Sequence, residues 1–187
     1  WIFVLAGAFA RSAEAIGAID ATVALTLRLL PGNLLFAGIF LAACFVSLSV
    51  GTSVGTIVAL MPVAVGLAES TSVDVAYMSA IVVGGAFFGD KLSPLSDTTN
   101  MAAAVSGVPL LRHVRHMVNT ITPAYIITII LYAIIGFKQG SGVADTSQLN
   151  AILSGISEHF QIGIIPALPM LLVLGLLIRQ TNPVLAI

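Results

Sequence analysis

Three charged side chains interrupt an otherwise apolar part of the chain and limit how it can fold. Residues 84–100 read GGAFFGDKLSPLSDTTN and contain Asp90, Lys91 and Asp97. A charged side chain at the centre of a bilayer costs about 2.5–3.5 kcal/mol on insertion scales. Charged groups in such a setting need a function or a partner, so this stretch is the first candidate for a functional site.

The setting is indicated by the composition. Hydrophobic residues make up 58% of the chain and charged residues only 8%, whereas soluble proteins average about 25% charged residues. The apolar runs are continuous and long, which is typical of transmembrane helices. We therefore predict an all-α integral membrane protein, a bundle of transmembrane helices with the lipid bilayer as its surroundings. The basic residues are not clustered with aromatic ones, which argues against nucleic-acid binding.

The residues around the charges predict one membrane crossing made of two half-helices. The apolar residues before Gly89 would span only about 24 Å as a helix, less than the roughly 30 Å of a hydrocarbon core. Gly89 and Pro94 mark the expected break, and Ser96 or Asp97 can cap the second half-helix. We expect a discontinuous helix over residues 73–108, the kind of element from which secondary transporters build binding sites.

A second interrupted segment precedes the first. Residues 34–68 would be about 50 Å long as a helix, too long for one crossing, and residues 49–56 read SVGTSVGT. We predict a re-entrant hairpin or broken segment with Thr52, Ser53 and Thr56 at its tip, facing the next break. Hydroxyl and carbonyl oxygens are hard ligands that Na⁺ accepts. The alternative is that the small residues only allow close packing between membrane helices.

The rest of the chain predicts two further crossings, over residues 120–137 and 162–178. The segment LLRHVRHMVN at residues 110–119 is expected to be a basic cytoplasmic loop. Apolar residues at helical spacing within 149–160 predict an amphipathic interfacial helix.

The stretch GGAFFGDKLSPLSDTTNMAAAVSGV at residues 84–108 resembles the NhaC-type Na⁺/H⁺ antiporter family of bacteria. The upstream sequence SLSVGTSVGTIVALMPVAVGLA looks like the matching first interrupted segment. The resemblance implies a multi-pass protein of the bacterial cell membrane that exchanges cytoplasmic Na⁺ for external H⁺ by alternating access. It also implies two inverted repeats with re-entrant hairpins, of which this chain, as a fragment, would hold most of one. The family also contains exchangers of small carboxylates, such as malate against lactate.

A Na⁺/H⁺ exchanger needs a carboxylate for which the proton and the cation compete. Asp97 is the first candidate for the Na⁺ site, with an N-cap of the second half-helix as the alternative role. Asp90 is the second, since the C-terminal end of a half-helix favours a cation. If Asp90 pairs with Lys91, Asp97 is left for transport. The neutral oxygens expected around the ion belong to Ser96, Thr98, Thr99, Asn100, Thr52, Ser53 and Thr56.

Two other functional classes stay open at this point. A carboxylate exchanger would hold the anionic group of its substrate with Lys91 and the amides near Thr98 and Thr99. A membrane scaffold or an intramembrane enzyme is the other class, although the chain contains no HExxH motif and serine-rich loops without a paired base are poor nucleophile sites. We therefore expect no enzymatic activity and no cofactor. The oligomeric state is open, with a homodimer among the alternatives.

Overall fold

The computed structural model describes residues 2–29, 34–71, 73–139 and 164–178, and these residues are helical apart from short connections. This agrees with the all-α class that the composition predicts. The helices of the described residues are α1 Ile2–Ala15, α2 Ala18–Leu29, α3 Leu35–Val50, α4 Ser53–Thr71, α5 Val75–Leu92, α6 Asp97–Val105, α7 Leu110–Gln139 and α8 Ile164–Ile178.

Two of these helices are long and apolar enough to cross a membrane. They are Val75–Leu92, which is α5, and Leu110–Lys138, which is nearly all of α7. Within the described residues, 39% of the α5 span is buried but only 6% of the α7 span. Helix α7 therefore presents most of its apolar surface outward, whereas α5 lies partly inside the bundle.

Helix α3 forms the centre of the bundle. Nearly all of its residues are buried, and it contacts α1, α2, α4, α5, α7 and α8. Phe40 is 1% exposed, and its ring lies against those of Phe88 and Tyr125 with centroids 5.7 and 5.6 Å apart. Van der Waals packing of this kind holds membrane helices together, so these rings help hold α5 and α7 against α3.

Helix α5 runs parallel to α3 at a separation that only glycine permits. A Cβ added at Gly85 would lie 2.6 Å from the Phe40 carbonyl oxygen, and one at Gly89 would collide with the Cys44 carbonyl oxygen. The expectation that Gly89 marks the helix break is wrong, because α5 continues to Leu92. Glycines four residues apart lie on one helix face, and here they form the contact with α3.

The first interruption lies at Gly51 and Thr52, inside the polar stretch for which the sequence predicts a turn. Gly51 has a φ of +76°, and its N–H donates to the Ser47 carbonyl at 2.8 Å. Glycine adopts this left-handed conformation without the strain that a Cβ would add. Helix α4 then returns alongside α3, since Ile39 and Val63 line the same small cavity.

The second interruption covers residues 93–96, between α5 and α6. Ser93 and Ser96 have extended backbones, with ψ of 123° and 134°. Pro94 lacks a backbone donor and disfavours helix at the residue before it, which ends α5 here. The Ser93 N–H still donates to the Asp90 carbonyl at 3.1 Å. Within the segment 73–108, for which two half-helices are predicted, the irregular residues therefore lie at 93–96.

Helix α7 begins ten residues before the predicted crossing over 120–137. Residues 110–119 are helical, so the expectation of a basic loop is wrong. The helix starts after Gly107, with a φ of +65°, and the Pro109 carbonyl accepts from the Arg112 N–H at 2.9 Å. A helix of 30 residues is about 45 Å long, against a hydrocarbon core of roughly 30 Å. Its basic first turns therefore have room to lie outside the apolar layer.

The last predicted crossing, over residues 162–178, contains α8. The predicted amphipathic helix within 149–160 lies outside the described residues.

Candidate functional site

The structure brings the two helix interruptions into contact. A Cβ added at Gly51 would lie 2.7 Å from Leu95 Cβ and 3.0 Å from the Ser96 backbone nitrogen. Leu95 and Ser96 are themselves buried, at 1% and 0% exposure. The glycine of the first turn therefore packs directly on the second turn, and the polar groups of both share one region of the bundle.

Asp90 is the buried carboxylate of this region. It lies in the last turn of α5, is 4% exposed, and its Oδ2 accepts from the Thr98 hydroxyl at 3.3 Å. Its Oδ1 has no hydrogen-bond partner within the described part of the chain. The neighbouring Lys91 is exposed, and the only ion pair between described residues joins Arg11 to Glu14. The pairing of Asp90 with Lys91, on which the choice of Asp97 was conditional, is therefore not formed as an ion pair among the described residues.

The hydroxyl groups of Thr98 and Ser96 extend the polar region from Asp90 to the second turn. The Thr98 and Ser96 hydroxyl oxygens are 2.9 Å apart, and Thr98 contacts Asp90 Oδ2. Thr98 is exposed, whereas Ser96 is fully buried. The exposed Thr98 hydroxyl therefore lies between two buried groups, the Asp90 carboxylate and the Ser96 hydroxyl.

Thr99 and Asn100 hold the carbonyl groups that the break leaves free. The buried Thr99 hydroxyl lies 3.3 Å from the carbonyl oxygens of both Asp90 and Lys91. The side-chain amide of Asn100 donates to the carbonyls of Pro94 at 2.8 Å and Ser96 at 2.7 Å. Both protons of that amide are thereby used, which leaves its oxygen and the Thr99 oxygen as acceptors.

Asp97 is exposed and is the first residue of α6. Its Oδ1 accepts from the Thr98 N–H at 2.7 Å, while the N-cap position belongs to Ser96, whose side chain makes no capping bond. Asp97 therefore binds a first-turn amide without being the N-cap. A carboxylate in the first turn is also favoured by the helix dipole.

A cavity of about 210 Å³ joins Asp97 to the first interruption. Its walls include Asp97 and Leu95 from the second turn, Gly51 and Thr52 from the first, and Gly7 of α1. Acidic and hydroxyl oxygens from both interruptions thus border one open volume.

The three predicted residues of the first interruption have different roles. The Thr52 hydroxyl accepts from the Gly55 N–H at 3.3 Å, as an N-cap of α4 does. The Thr56 hydroxyl donates to the Thr52 carbonyl at 2.8 Å and is 1% exposed. Ser53 is buried at 8% exposure. Of these three side chains, only Thr52 borders the cavity with Asp97.

Two features of the site were not predicted from the sequence, the buried Ser47 and the glycine pair of α5. Ser47 is fully buried, and its hydroxyl donates to the Ala86 carbonyl at 2.6 Å, from α3 to α5. Gly85 allows this approach. The spacing of Gly85 and Gly89 is a small-xxx-small pattern that could have been recognised in the sequence, whereas nothing in the sequence distinguishes Ser47 from Ser49.

Comparison with known proteins identifies the family. The profile of the Na⁺/H⁺ antiporter family matches residues 1–87 and 85–187. The Na⁺/H⁺ antiporter NhaC of Bacillus subtilis is 33% identical over 152 residues, which cover 81% of this chain and 33% of that protein. The Na⁺/H⁺ antiporter NhaC of Alkalihalophilus pseudofirmus is 41% identical over 139 residues, covering 73% of this chain and 29% of that protein.

A third relative is named for a different transport activity. The malate-2H⁺/Na⁺-lactate antiporter of Bacillus subtilis is 31% identical over 188 aligned residues, covering 100% of this chain and 40% of that protein. No solved structure matches the chain. The chain spans roughly a third of the length of these curated relatives. The family match covers both interruptions, and the resemblance seen in the sequence is confirmed: the chain belongs to the Na⁺/H⁺ antiporter family.

Proposed function

We propose that the protein carrying this chain exchanges cytoplasmic Na⁺ for external H⁺ across the bacterial cell membrane, by alternating access. Two NhaC antiporters among its relatives support the choice of ions. The apolar spans α5 and α7 support a multi-pass protein. The paired interruptions support a fold with a re-entrant hairpin and inverted repeats, as in other secondary transporters. The exchange involves no cofactor.

The observation that carries this proposal is the burial of Asp90, whose Oδ1 accepts no hydrogen bond from the described residues. An ionised carboxylate removed from water is strongly destabilised unless another group compensates its charge. A proton on the carboxyl group or a Na⁺ beside it provides that compensation, and both cannot occupy the same oxygen together. Competition of the two ions for one group, combined with access from alternate sides, produces exchange. We therefore assign the exchanged charge to Asp90.

The neighbouring oxygens complete the proposed ion site. The hydroxyl oxygens of Thr98 and Ser96 adjoin the Asp90 carboxylate, and neutral oxygens of this kind replace the water that a hard cation loses. Asp97 and Thr52 border the adjoining cavity. In this proposal the exposed Asp97 attracts cations into the cavity, because a cleft lined by one sign of charge raises the local concentration of its counter-ion.

The test measures Na⁺-induced collapse of a preformed pH gradient in everted membrane vesicles, with the protein expressed with its whole natural chain. We expect collapse with the unmutated protein and none with Asp90→Asn, which keeps the size of the side chain but cannot exchange a proton. Glu14→Gln is the matched control, since Glu14 is an exposed carboxylate outside both interruptions. Absence of Na⁺-induced collapse in the unmutated, inserted protein would overturn the proposal.

The second candidate is coupled exchange of small carboxylates. It is supported by the malate-2H⁺/Na⁺-lactate antiporter among the relatives and by Lys91, an exposed cation beside the second interruption that has no ion pair within the described residues. Under this alternative, lactate or malate would drive flux and would compete with each other. The first proposal expects Na⁺-dependent flux that neither carboxylate changes.

A further inference from the structure

The hydroxyl group of Ser47 links three parts of the site. It donates to the Ala86 carbonyl of α5 at 2.6 Å, and the same oxygen lies 3.4 Å from the Thr52 carbonyl of the first interruption. Ser47 itself is fully buried in α3. One side chain of the central helix therefore contacts both the helix that carries Asp90 and the turn that borders the cavity.

The acceptor of this hydrogen bond lies one turn before Asp90. In an α-helix the N–H of residue i donates to the carbonyl of residue i−4, so the Ala86 carbonyl also accepts from the Asp90 N–H. Ser47 adds a second donor from another helix to this carbonyl. At Gly89, the residue directly before Asp90, a Cβ would lie 2.8 Å from the Leu48 backbone nitrogen. The turn of α5 that leads to Asp90 is therefore held against α3 at Ala86 and at Gly89.

A second buried serine in α3 shows that this arrangement is specific. Ser49 is also fully buried, but its hydroxyl donates to the Phe45 carbonyl at 2.7 Å, within its own helix. Bonding of a serine to the carbonyl four residues earlier is the usual way for a membrane helix to satisfy a hydroxyl. Ser47 instead makes its short bond across the helix interface, at the level of the site.

We propose that Ser47 is a positioning residue for the Na⁺ site: it holds the Asp90 turn of α5 at a fixed distance from the first interruption. The inference rests on the proposed Na⁺/H⁺ exchange at Asp90. Ligands must be held within about 0.5 Å of their productive positions for a site to bind well. Loss of the Ser47 bond lets the Asp90 turn shift relative to Thr52, which weakens Na⁺ binding while the exchanging carboxylate itself remains.

The test compares Ser47→Ala with Ser49→Ala, each in the whole natural chain, in everted vesicles. Each variant removes one buried hydroxyl from α3, but only the first removes a bond between helices. We expect Ser47→Ala to raise the apparent KM for Na⁺ about three- to tenfold, the equivalent of one lost hydrogen bond, with a nearly unchanged maximal rate per inserted protein. Ser49→Ala should leave the KM within about twofold of the unmutated value.

The outcomes separate this inference from the function on which it rests. If the unmutated protein exchanges Na⁺ for H⁺ and the two variants have the same KM, the positioning role is overturned and the exchange stands. A merely structural role would lower the melting temperature and the inserted amount of Ser47→Ala without changing its KM. If Ser47→Ala does not insert, Ser47→Cys takes its place. The thiol has a similar shape but is a much weaker donor than the hydroxyl, so Ser47→Cys must show the raised KM for Na⁺. If the unmutated protein shows no exchange, the function and the inference both fall.

Discussion

The interruption at Gly51 and Thr52 is narrow and uncharged, whereas the interruption at residues 93–96 is wider and lies between two carboxylates. The first needs a left-handed glycine and is closed by hydroxyls that bond to backbone groups of the same turn. The second adjoins the buried Asp90 and is followed by the exposed Asp97. The first turn therefore determines how closely the two interruptions pack, and the second carries the carboxylates beside it. The site depends on the contact between the two turns.

The largest expected effect concerns the shape of the first turn. Gly51→Ala adds a Cβ in a left-handed conformation and in collision with Leu95. Left-handed backbone for a residue with a Cβ costs about 1–3 kcal/mol, and forced overpacking adds about 1–3 kcal/mol. We therefore expect a loss of about 2–6 kcal/mol in stability, measured by thermal melting of the purified protein in detergent.

Gly107→Ala is the matched control for this prediction. Gly107 has a φ of +65°, but a Cβ there meets no atom within 4 Å of its position among the described residues. It should lose only the conformational part, about 1–3 kcal/mol. Equal melting temperatures for the two variants would contradict the tight contact between the two turns.

The second effect concerns the bonds that close the wider turn. Asn100→Ala removes the amide that donates to the Pro94 and Ser96 carbonyls. Two lost hydrogen bonds of about 1 kcal/mol each should lower the stability by about 2 kcal/mol. Ser79→Ala is the control, since its hydroxyl donates to the Val75 carbonyl of its own helix. If Asn100→Ala melts no earlier than Ser79→Ala, the turn is held by other contacts.

The positions of both turns follow from local sequence, but the burial of Asp90 does not. Glycine in a hydroxyl-rich stretch and Pro94 within a polar one act on their own backbone, so they predict turns from nearby residues alone. The misplaced break at Gly89 arises because a glycine in a helix has two uses. Its close approach to Cys44 involves a residue far away in the sequence. The spacing of Gly85 and Gly89 indicates a packing face, but it does not identify the helix that packs there.

The order of the two aspartates depends on the same long-range packing. In sequence terms Asp97 has the richer set of hydroxyl neighbours, which makes it the first candidate. In the structure, α3 packs on the Gly85 and Gly89 face of α5, and Thr98 of α6 bonds to the buried Asp90, while Asp97 is exposed. Which residue is covered is decided by such tertiary contacts.

The third effect concerns the assignment of ion exchange to Asp90 rather than to Asp97. Asp97→Asn removes an exposed charge at the cavity, so we expect the apparent KM for Na⁺ to rise about tenfold through loss of local cation attraction. The maximal rate of exchange in everted vesicles should be retained. Complete loss of exchange at saturating Na⁺, with normal insertion, would restore Asp97 as the group that exchanges the ions and would reduce Asp90 to a structural role.

The smallest expected effect concerns Lys91, and it separates the two candidate functions. Lys91 is exposed and has no ion pair within the described residues, and a single exposed charge contributes little to its neighbours in water. Under Na⁺/H⁺ exchange at Asp90, Lys91→Ala should change the exchange rate by less than about twofold. Under carboxylate exchange, the same variant removes the cation that holds the substrate, and lactate-dependent flux should disappear. Both fluxes should be measured on Lys91→Ala and on Lys91→Arg, because Arg keeps the positive charge. If the site binds a carboxylate, Lys91→Arg should restore the lactate-dependent flux that Lys91→Ala loses. If the site binds a cation, the two variants should have the same exchange rate.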